Sequence, residues 1–193
     1  MIDVDLYQAK KLYPFQEETV NIILDELSSN GNNFNLLYQL PTGGGKTVIF
    51  SEIGRKYIET WKKKVLILTH RIELSVQTSK QLSAIGVANK VINSEVKDLP
   101  DQDEYHCFIA MVETLHNRLI DDQDFIKNVG LVIVDEAHYN SFRKIFQYYE
   151  NCNILGVTAT PLSSNKPLPL KDNYNRLLVG ESIAGLIEKA YLS

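Results

Sequence analysis

A glycine-rich loop between an apolar strand pattern and a helical pattern limits the folds open to this sequence more than any other part of it. The segment reads Leu40-Pro41-Thr42-Gly43-Gly44-Gly45-Lys46-Thr47. Adjacent glycines let backbone N–H groups wrap around phosphate oxygens without side-chain clashes, and the N-terminus of the following helix adds a partial positive charge. Lys46 can reach the β- and γ-phosphates of ATP, and the Thr47 hydroxyl can ligate Mg²⁺. We therefore predict an ATP-binding loop at residues 40–47.

Short apolar strands alternate with amphipathic helices along the rest of the chain. Strands are predicted at 34–40, 65–69, 87–92, 106–111, 131–134 and 153–157, and helices at 15–29, 46–60, 72–84 and 141–150, with a short helix after residue 111. Parallel strands need crossover helices, and strands buried on both faces read as continuous apolar runs. The pattern therefore predicts an α/β fold with a doubly wound, mostly parallel sheet flanked by helices.

A second motif follows an apolar strand far downstream of the loop. It reads Val132-Ile133-Val134-Asp135-Glu136-Ala137-His138. A carboxylate at the end of a buried strand is costly unless it serves a cation, so we expect Asp135 to share the Mg²⁺ with Thr47. Glu136 would polarise the attacking water as general base. A strand that exits into an acidic turn would give the same residues, but the phosphate loop upstream favours a hydrolytic site.

These two motifs together resemble the first RecA-like domain of a superfamily 2 helicase of the DEAD/DEAH-box type. That family replaces the first glycine of the general loop pattern, which accounts for Leu40. The resemblance covers roughly residues 10–192. It implies a RecA-like P-loop NTPase fold and an ATP hydrolase of the helicase type that uses Mg²⁺ and couples hydrolysis to movement along nucleic acid.

Two further motifs of the nucleotide site follow from the resemblance. Tyr13-Pro14-Phe15-Gln16 resembles the glutamine motif, in which the Gln16 amide would read adenine, since an amide donates and accepts at once. Many relatives carry Arg at the position of Tyr13. The other motif is Thr158-Ala159-Thr160, which resembles the segment that links the nucleotide to strand movement; Thr158 and Thr160 would exchange hydrogen bonds with His138.

Two segments resemble nucleic-acid contacts of the family. Residues 69–77 match the His-Arg-x-Glu-Leu-x-x-Gln segment of the restriction-subunit and excision-repair-like branch, which favours DNA over RNA. Arg71 starts a helix there, and its guanidinium and nearby N–H groups could share one phosphate; the alternative is an exposed side chain paired with Glu73 or solvent. Thr114 and Arg118 follow another strand and resemble a second backbone-gripping motif.

Composition and charge favour a globular domain without membrane helices. The chain has 193 residues, 44% of them hydrophobic, which suffices for one sizeable core, and its net charge of −4 argues against coating nucleic acid by charge alone. No apolar run reaches the length of a membrane helix. Cys107 and Cys152 fall beside predicted strands and are expected to be reduced core residues of a cytoplasmic protein.

Several other residues have simpler interpretations. An aromatic cluster at helical spacing is expected in the core rather than as a base-stacking platform: Phe142, Phe146, Tyr148 and Tyr149. Residues 62–64 are three lysines, expected in a solvated turn, with a phosphate contact as the alternative. His106 and His116 lack the spacing of zinc ligands.

We expect residues 1–161 to form the first RecA-like domain. Residues 162–193 are expected to be a linker and the lead-in to a second RecA-like domain that this chain lacks. Two other functions stay open: a small-molecule kinase or transporter ATPase, and a nonmotor nucleotide-binding switch. Neither an arginine-rich lid nor a Leu-Ser-Gly-Gly-Gln-like signature is found, and Glu136 argues against a switch that has no need of a general base.

Overall fold

A seven-stranded parallel sheet forms the centre of the molecule. The structure is a computed structural model that describes residues 8–31, 33–40, 45–136, 142–159 and 174–179. The strands are β1 (Asn35–Gln39), β2 (Lys64–Thr69), β3 (Asn89–Ile92), β4 (Cys107–Met111), β5 (Val129–Asp135), β6 (Asn153–Thr158) and β7 (Arg176–Val179). Their order across the sheet is β3-β4-β2-β5-β6-β1-β7, and each neighbouring pair is parallel. The predicted doubly wound α/β fold is confirmed.

Helices cover both faces of this sheet. They are α1 (Pro14–Asn30), α2 (Lys46–Trp61), α3 (Ile72–Ala84), α4 (Val112–Asp121) and α5 (Arg143–Phe146), with a 3₁₀ turn at Gln102–Glu104. The apolar faces of α1, α2 and α3 bury one side of the sheet, and those of α4 and α5 bury the other. None of the helices in the described ranges combines the length and apolar character needed to cross a bilayer.

The central strands are apolar on both faces because each face has its own core. In β2, Val65 and Ile67 pack with α1–α3, whereas Leu66 and Leu68 pack with α4 and α5. Strand β5 alternates in the same way. Side chains of a strand point to opposite faces in turn, so a sheet covered twice needs an unbroken apolar run. Cys107 and Cys152 are free and buried, as expected.

The structure departs from the sequence predictions in three places. The helix expected at 141–150 is only α5, because residues 148–152 continue as turns, with Tyr148 N and Tyr149 N donating to carbonyls three residues back. Lys64 is buried rather than solvated, and its Nζ lies 3.0 Å from Asp103 Oδ1. Strand β7 was not expected. The sequence also predicts a short helix at 182–192, and that segment lies outside the described residues.

Strand β7 extends the sheet beyond β1. Leu36 pairs with Arg176, and Asn175 N donates to Asn35 O at 2.7 Å, which starts the ladder. This strand lies within the segment expected to be a linker. The sheet therefore includes residues on the far side of the boundary expected at residue 161.

Candidate nucleotide-binding site

The predicted nucleotide motifs meet at the carboxyl ends of β5, β6 and β1, which are neighbours in the sheet. Asp135 is in register with Val157, and Gln39 is in register with Thr158. The ends of these strands therefore lie side by side, although the residues are far apart in sequence. In open α/β sheets, ligands bind outside the carboxyl ends of the strands.

The described part of the glycine loop opens α2. Gly45 is the N-cap residue with φ of 78°, a left-handed conformation that favours glycine, and Gly45 O accepts from Ile49 N. A Cβ at Gly45 would lie 2.1 Å from Gln16 Nε2, so the glycine also allows the glutamine amide to lie against the loop. The rest of the predicted loop lies outside the described residues: Pro41, Thr42, Gly43 and Gly44.

Lys46 and Asp135 form an ion pair between the two main motifs. Lys46 Nζ lies 3.2 Å from Asp135 Oδ1, across 89 residues of sequence. Asp135 is 2% exposed, and burial raises the pKa of its carboxyl, while the Lys46 ammonium opposes that rise. A buried carboxylate of this kind is stabilised by a cation, and Lys46 is the cation nearest to it within the described ranges.

Glu136 follows Asp135 in a conformation that is unusual for its residue type. Its φ is 54°, in the left-handed region, and its side chain is half-buried. This region is unfavourable for a residue with a Cβ, and such residues cluster at functional sites. The chain therefore turns sharply at the end of β5, immediately after the buried carboxylate.

Gln16 lies beside the phosphate loop at the start of α1. It is buried, and its Oε1 accepts from Tyr13 N at 2.9 Å. Its amide nitrogen lies against Gly45. The glutamine amide is thus fixed by its own turn and lies against the loop, and its contact with adenine stays a prediction.

A cavity of about 900 Å³ lies beside Gln16 and the start of α2. Its lining consists of Lys10, Lys11, Tyr13, Gln16, Gly45, Lys46, Thr47, Val48 and Gln77. Sequence reasoning missed the contributions of Lys10, Lys11, Val48 and Gln77. Gln77 could have been found, because it closes the motif at 69–77, whereas the two lysines lie in an irregular segment with no periodic signal.

Thr158 ends β6 between the loop and Asp135. It is fully buried, and its carbonyl oxygen accepts from Leu40 N at 2.9 Å, so the Thr158-Ala159-Thr160 motif is tied to the start of the predicted phosphate loop. The other two residues predicted to couple hydrolysis to movement, His138 and Thr160, lie outside the described residues.

The predicted nucleic-acid contacts lie on neighbouring elements. Strands β2 and β4 pair through Thr69 and Met111, so the helices that follow them start at the same edge of the sheet. Arg71 is exposed at the N-cap of α3, and Thr114 is half-buried in the first turn of α4. Within the described ranges, no ion pair joins Arg71 to Glu73.

Arg118 has a structural role instead. Its Nε donates to Val96 O at 2.8 Å and its Nη2 donates to Ser94 O at 3.0 Å, so it holds the turn after β3. Of the aromatic cluster, Phe142 and Tyr149 are buried in the core as expected. Phe142 also packs edge-on against His70.

Comparisons with known proteins agree with this architecture. The sequence profile of the family described as "Type III restriction enzyme, res subunit" matches residues 9–163. The protein described as "Putative ATP-dependent helicase IRC3" from Saccharomyces cerevisiae is 31% identical over 169 residues, which are 80% of this chain and 24% of that protein. The ATP-dependent DNA helicase mph1 of Neurospora crassa is 28% identical over 179 residues, 84% of this chain and 15% of that protein.

Solved structures resemble the fold. The Hef helicase domain of Pyrococcus furiosus superposes with a TM-score of 0.72 at 21% identity, covering 90% of this chain and 39% of that chain. This likeness concerns the fold alone. The chain spans a quarter or less of the length of the two relatives named above.

Proposed function

This chain belongs to the family of the type III restriction enzyme res subunit, and from that premise we propose that it is the ATP-binding half of a nucleic-acid-dependent ATPase, a helicase or DNA translocase. The observation that carries the proposal is the ion pair between Lys46 and Asp135. It joins the phosphate-loop motif to the acidic motif at the Lys46 end of a cavity large enough for a nucleotide.

Lys46 would release Asp135 and bind the β- and γ-phosphates when ATP enters. The N–H groups of the loop, Pro41 excepted, would surround the same phosphates: Thr42, Gly43, Gly44, Gly45, Lys46 and Thr47. Lys46 is partly exposed and Asp135 is buried, so the lysine is the partner free to move toward the ligand.

Thr47 and Asp135 are the residues that would hold Mg²⁺. A hydroxyl and a buried carboxylate supply oxygen donors, which fit this ion, and burial raises the pKa of Asp135 because it leaves the carboxylate poorly solvated. Among the described residues, no group of three or more acidic, histidine or cysteine side chains is arranged to hold a metal ion, which suits an ion shared with phosphates rather than caged by protein. When bound, Mg²⁺ would neutralise charge on the phosphates.

Glu136 would accept a proton from the attacking water as general base. Its left-handed backbone turns the chain at the end of β5, next to the residue that would hold the metal. Gln16 would read the adenine, and its position against Gly45 supports this role. Thr158, with Thr160 and His138, would pass the loss of the γ-phosphate to the rest of the protein.

Arg71 and Thr114 would contact the backbone of a nucleic acid strand. Their helices start at the same edge of the sheet as the nucleotide site, which supports a shared surface. DNA is the preferred partner, because one of the relatives is named a DNA helicase and the segment at 69–77 matches the DNA-acting branch.

Residues 1–161 would form one wall of the active site, and a second RecA-like domain, connected through residues 162–193, would form the other. An arginine finger from that domain would supply about 10³–10⁵ in rate, as in related phosphoryl transfers. The free, buried cysteines support a reducing, cytoplasmic setting.

Assays of ATP binding and ATP turnover, with and without single-stranded DNA, test the proposal. We expect this chain alone to bind Mg·ATP weakly and to hydrolyse little, and a protein with both RecA-like domains to show DNA-stimulated turnover. Rapid DNA-stimulated turnover by this chain alone would contradict the half-site proposal. A two-domain protein that binds ATP without hydrolysing it would be a switch instead.

A further inference from the structure

The side-chain amide of Gln81, in α3, forms two hydrogen bonds with the backbone of Lys10. Lys10 N donates to Gln81 Oε1 at 3.1 Å, and Gln81 Nε2 donates to Lys10 O at 3.3 Å. The two residues are 71 positions apart in sequence, and Gln81 is only 1% exposed. A buried amide thus connects the first described residues of the chain to the middle of the fold.

Burying a glutamine amide at this position costs free energy unless the amide is hydrogen-bonded. Gln81 lies in the helix next to Leu82, which is fully buried in the core, and an apolar side chain would avoid the cost of burying an amide. Burial is tolerated when the group is hydrogen-bonded, and the N–H and C=O of Lys10 satisfy one acceptor and one donor of the amide. Contact with residue 10 is therefore one interaction that this buried amide provides.

The segment that Gln81 binds is irregular and mostly exposed. Residues 8–13, which we call the N-terminal strap, form no helix or strand, and residues 8–11 are exposed. An exposed segment without regular structure gains little from apolar burial. The hydrogen bonds to Gln81 anchor the strap at Lys10, and the bond from Tyr13 N to Gln16 Oε1 anchors its other end.

The strap forms one end of the nucleotide cavity. Lys10, Lys11 and Tyr13 line it together with Gln77, which lies one helical turn before Gln81. Tyr13 is 52% exposed at the cavity, and its ring stacks on Phe15. Lys46 and Thr47 line the same cavity, in the loop proposed to bind phosphate.

We propose that Gln81 is a positioning residue that holds the N-terminal strap against α3, so that the strap can contact the adenosine part of the nucleotide. The inference rests on the proposed function, because it concerns the ligand of the same cavity. Gln81 does not line the cavity and acts through the strap. Releasing the strap should weaken contacts to the base and sugar but not those to the phosphates.

Calorimetry with two ligands, Mg·ATP and Mg·tripolyphosphate, separates these contacts, since they share the phosphate chain and differ by adenosine. Gln81→Met removes both hydrogen bonds at similar volume. Lys10→Pro removes the N–H from the other partner, and Lys10→Ala is its control, because it removes the side chain and keeps the N–H. Gln102→Met is a second control, since Gln102 also binds backbone groups but lies far from the cavity in the 3₁₀ turn.

We expect Gln81→Met to raise the Kd for ATP by about three- to tenfold, the range of a net hydrogen bond, and to leave that for tripolyphosphate unchanged. Lys10→Pro should show the same selective loss relative to Lys10→Ala, and Gln102→Met should show none. Unchanged ATP affinity in a folded Gln81→Met, or equal losses for both ligands, would overturn the positioning role. If Gln81→Met does not fold, the comparison of Lys10→Pro with Lys10→Ala decides.

The affinities of the wild-type chain distinguish a failure of the nucleotide site from a failure of the role of Gln81. A wild-type chain that binds neither ligand would overturn the nucleotide site itself, and the role of Gln81 with it. A wild-type chain that binds ATP more tightly than tripolyphosphate, combined with a Gln81→Met variant that keeps this preference, would overturn only the role of Gln81.

Discussion

Lys46 Nζ lies 3.2 Å from Asp135 Oδ1, so the ammonium of the phosphate-loop motif neutralises the buried carboxylate of the acidic motif. Each group has a second proposed partner, phosphate for the lysine and Mg²⁺ for the aspartate. Binding of Mg·ATP would therefore exchange one ion pair for two charged contacts. The pair keeps both groups at the site before the ligand arrives.

Lys46→Ala should weaken Mg·ATP binding by at least about tenfold, because a hydrogen bond to a charged group contributes roughly 1.5–3 kcal/mol. The matched control is Lys56→Ala, which removes the same charge from the same helix; Lys56 Nζ donates to Asn21 rather than lining the cavity. Titration calorimetry measures both. Equal affinities in the two variants would show that the loop does not bind the phosphates through Lys46.

Asp135→Asn should stabilise the fold at neutral pH. Burial raises the pKa of this carboxyl above its ordinary value of 3.8, so the folded state takes up a proton more readily than the unfolded chain. The wild type therefore loses stability as pH rises from 3.8 through the raised pKa, and the loss persists at higher pH. The asparagine variant has no such ionisation, and its advantage should vanish below pH 3.8.

Thermal unfolding of Asp135→Asn at neutral pH and below pH 3.8 checks this expectation. Asp25→Asn is the control, because Asp25 is exposed on α1. A variant less stable than wild type at neutral pH would mean that the ion pair with Lys46 outweighs the cost of burial.

Glu136→Gln should retain Mg·ATP binding and lose DNA-stimulated turnover in a protein that has both RecA-like domains. The amide keeps the size of the side chain but cannot accept the proton of the attacking water, and general base catalysis contributes about 10²–10⁴ in rate. Steady-state ATPase assays and calorimetry give the two readouts. Glu104→Gln, at an exposed position in the 3₁₀ turn, should affect neither. Turnover retained in Glu136→Gln would place the base elsewhere.

The backbone at Glu136 makes a separate prediction about stability. Its φ of 54° costs a residue with a Cβ about 1–2 kcal/mol, a cost that glycine avoids. Glu136→Gly should therefore be more stable than Glu136→Ala in denaturant unfolding. At Asp25, inside α1, the order should reverse, because glycine is less favourable than alanine in a helix by about 1 kcal/mol. If the alanine variant were the more stable one at position 136 as well, that result would contradict the left-handed conformation of Glu136.

The sequence predicted those strands whose residue pattern directly reflects their burial in the sheet. Strands β2 and β5 were found because burial on both faces leaves an unbroken apolar run. Strand β7 was missed because its four residues follow a polar, proline-containing segment and gain their ladder only by pairing with β1. Lys64 was misjudged because its burial depends on Gln102 and Asp103, distant residues that accept from its ammonium group.

The site divides in a similar way. Lys46 and Asp135 were singled out because each lies in a motif with a recognisable residue order, and the structure brings them into contact; their roles toward ATP and Mg²⁺ stay predictions. The hydrogen bonds between Gln81 and Lys10 could not be predicted from the sequence, since one partner is a backbone group that any residue other than proline could supply. A sequence records side chains, so contacts that rest on main-chain groups leave no pattern to read.

Arg71→Ala should weaken binding of single-stranded DNA uniformly across sequences. Arg71 is exposed at the start of α3, where it can contact the backbone, and the net charge of −4 leaves no broad attraction to compensate. Two or three phosphate contacts give a log–log salt slope of roughly −1.4 to −2.1, at about −0.7 per phosphate on a single strand. The variant should therefore reduce the slope by about 0.7.

Fluorescence anisotropy across a salt series measures this slope for wild type, Arg71→Ala and Lys127→Ala. Lys127 is exposed just before β5, at the opposite end of the sheet from Arg71, so its loss removes one positive charge without touching the proposed surface. If only total charge mattered, both variants would change the slope equally. A local backbone contact changes it in Arg71→Ala alone, and an unchanged slope there would place the strand on another face of the domain.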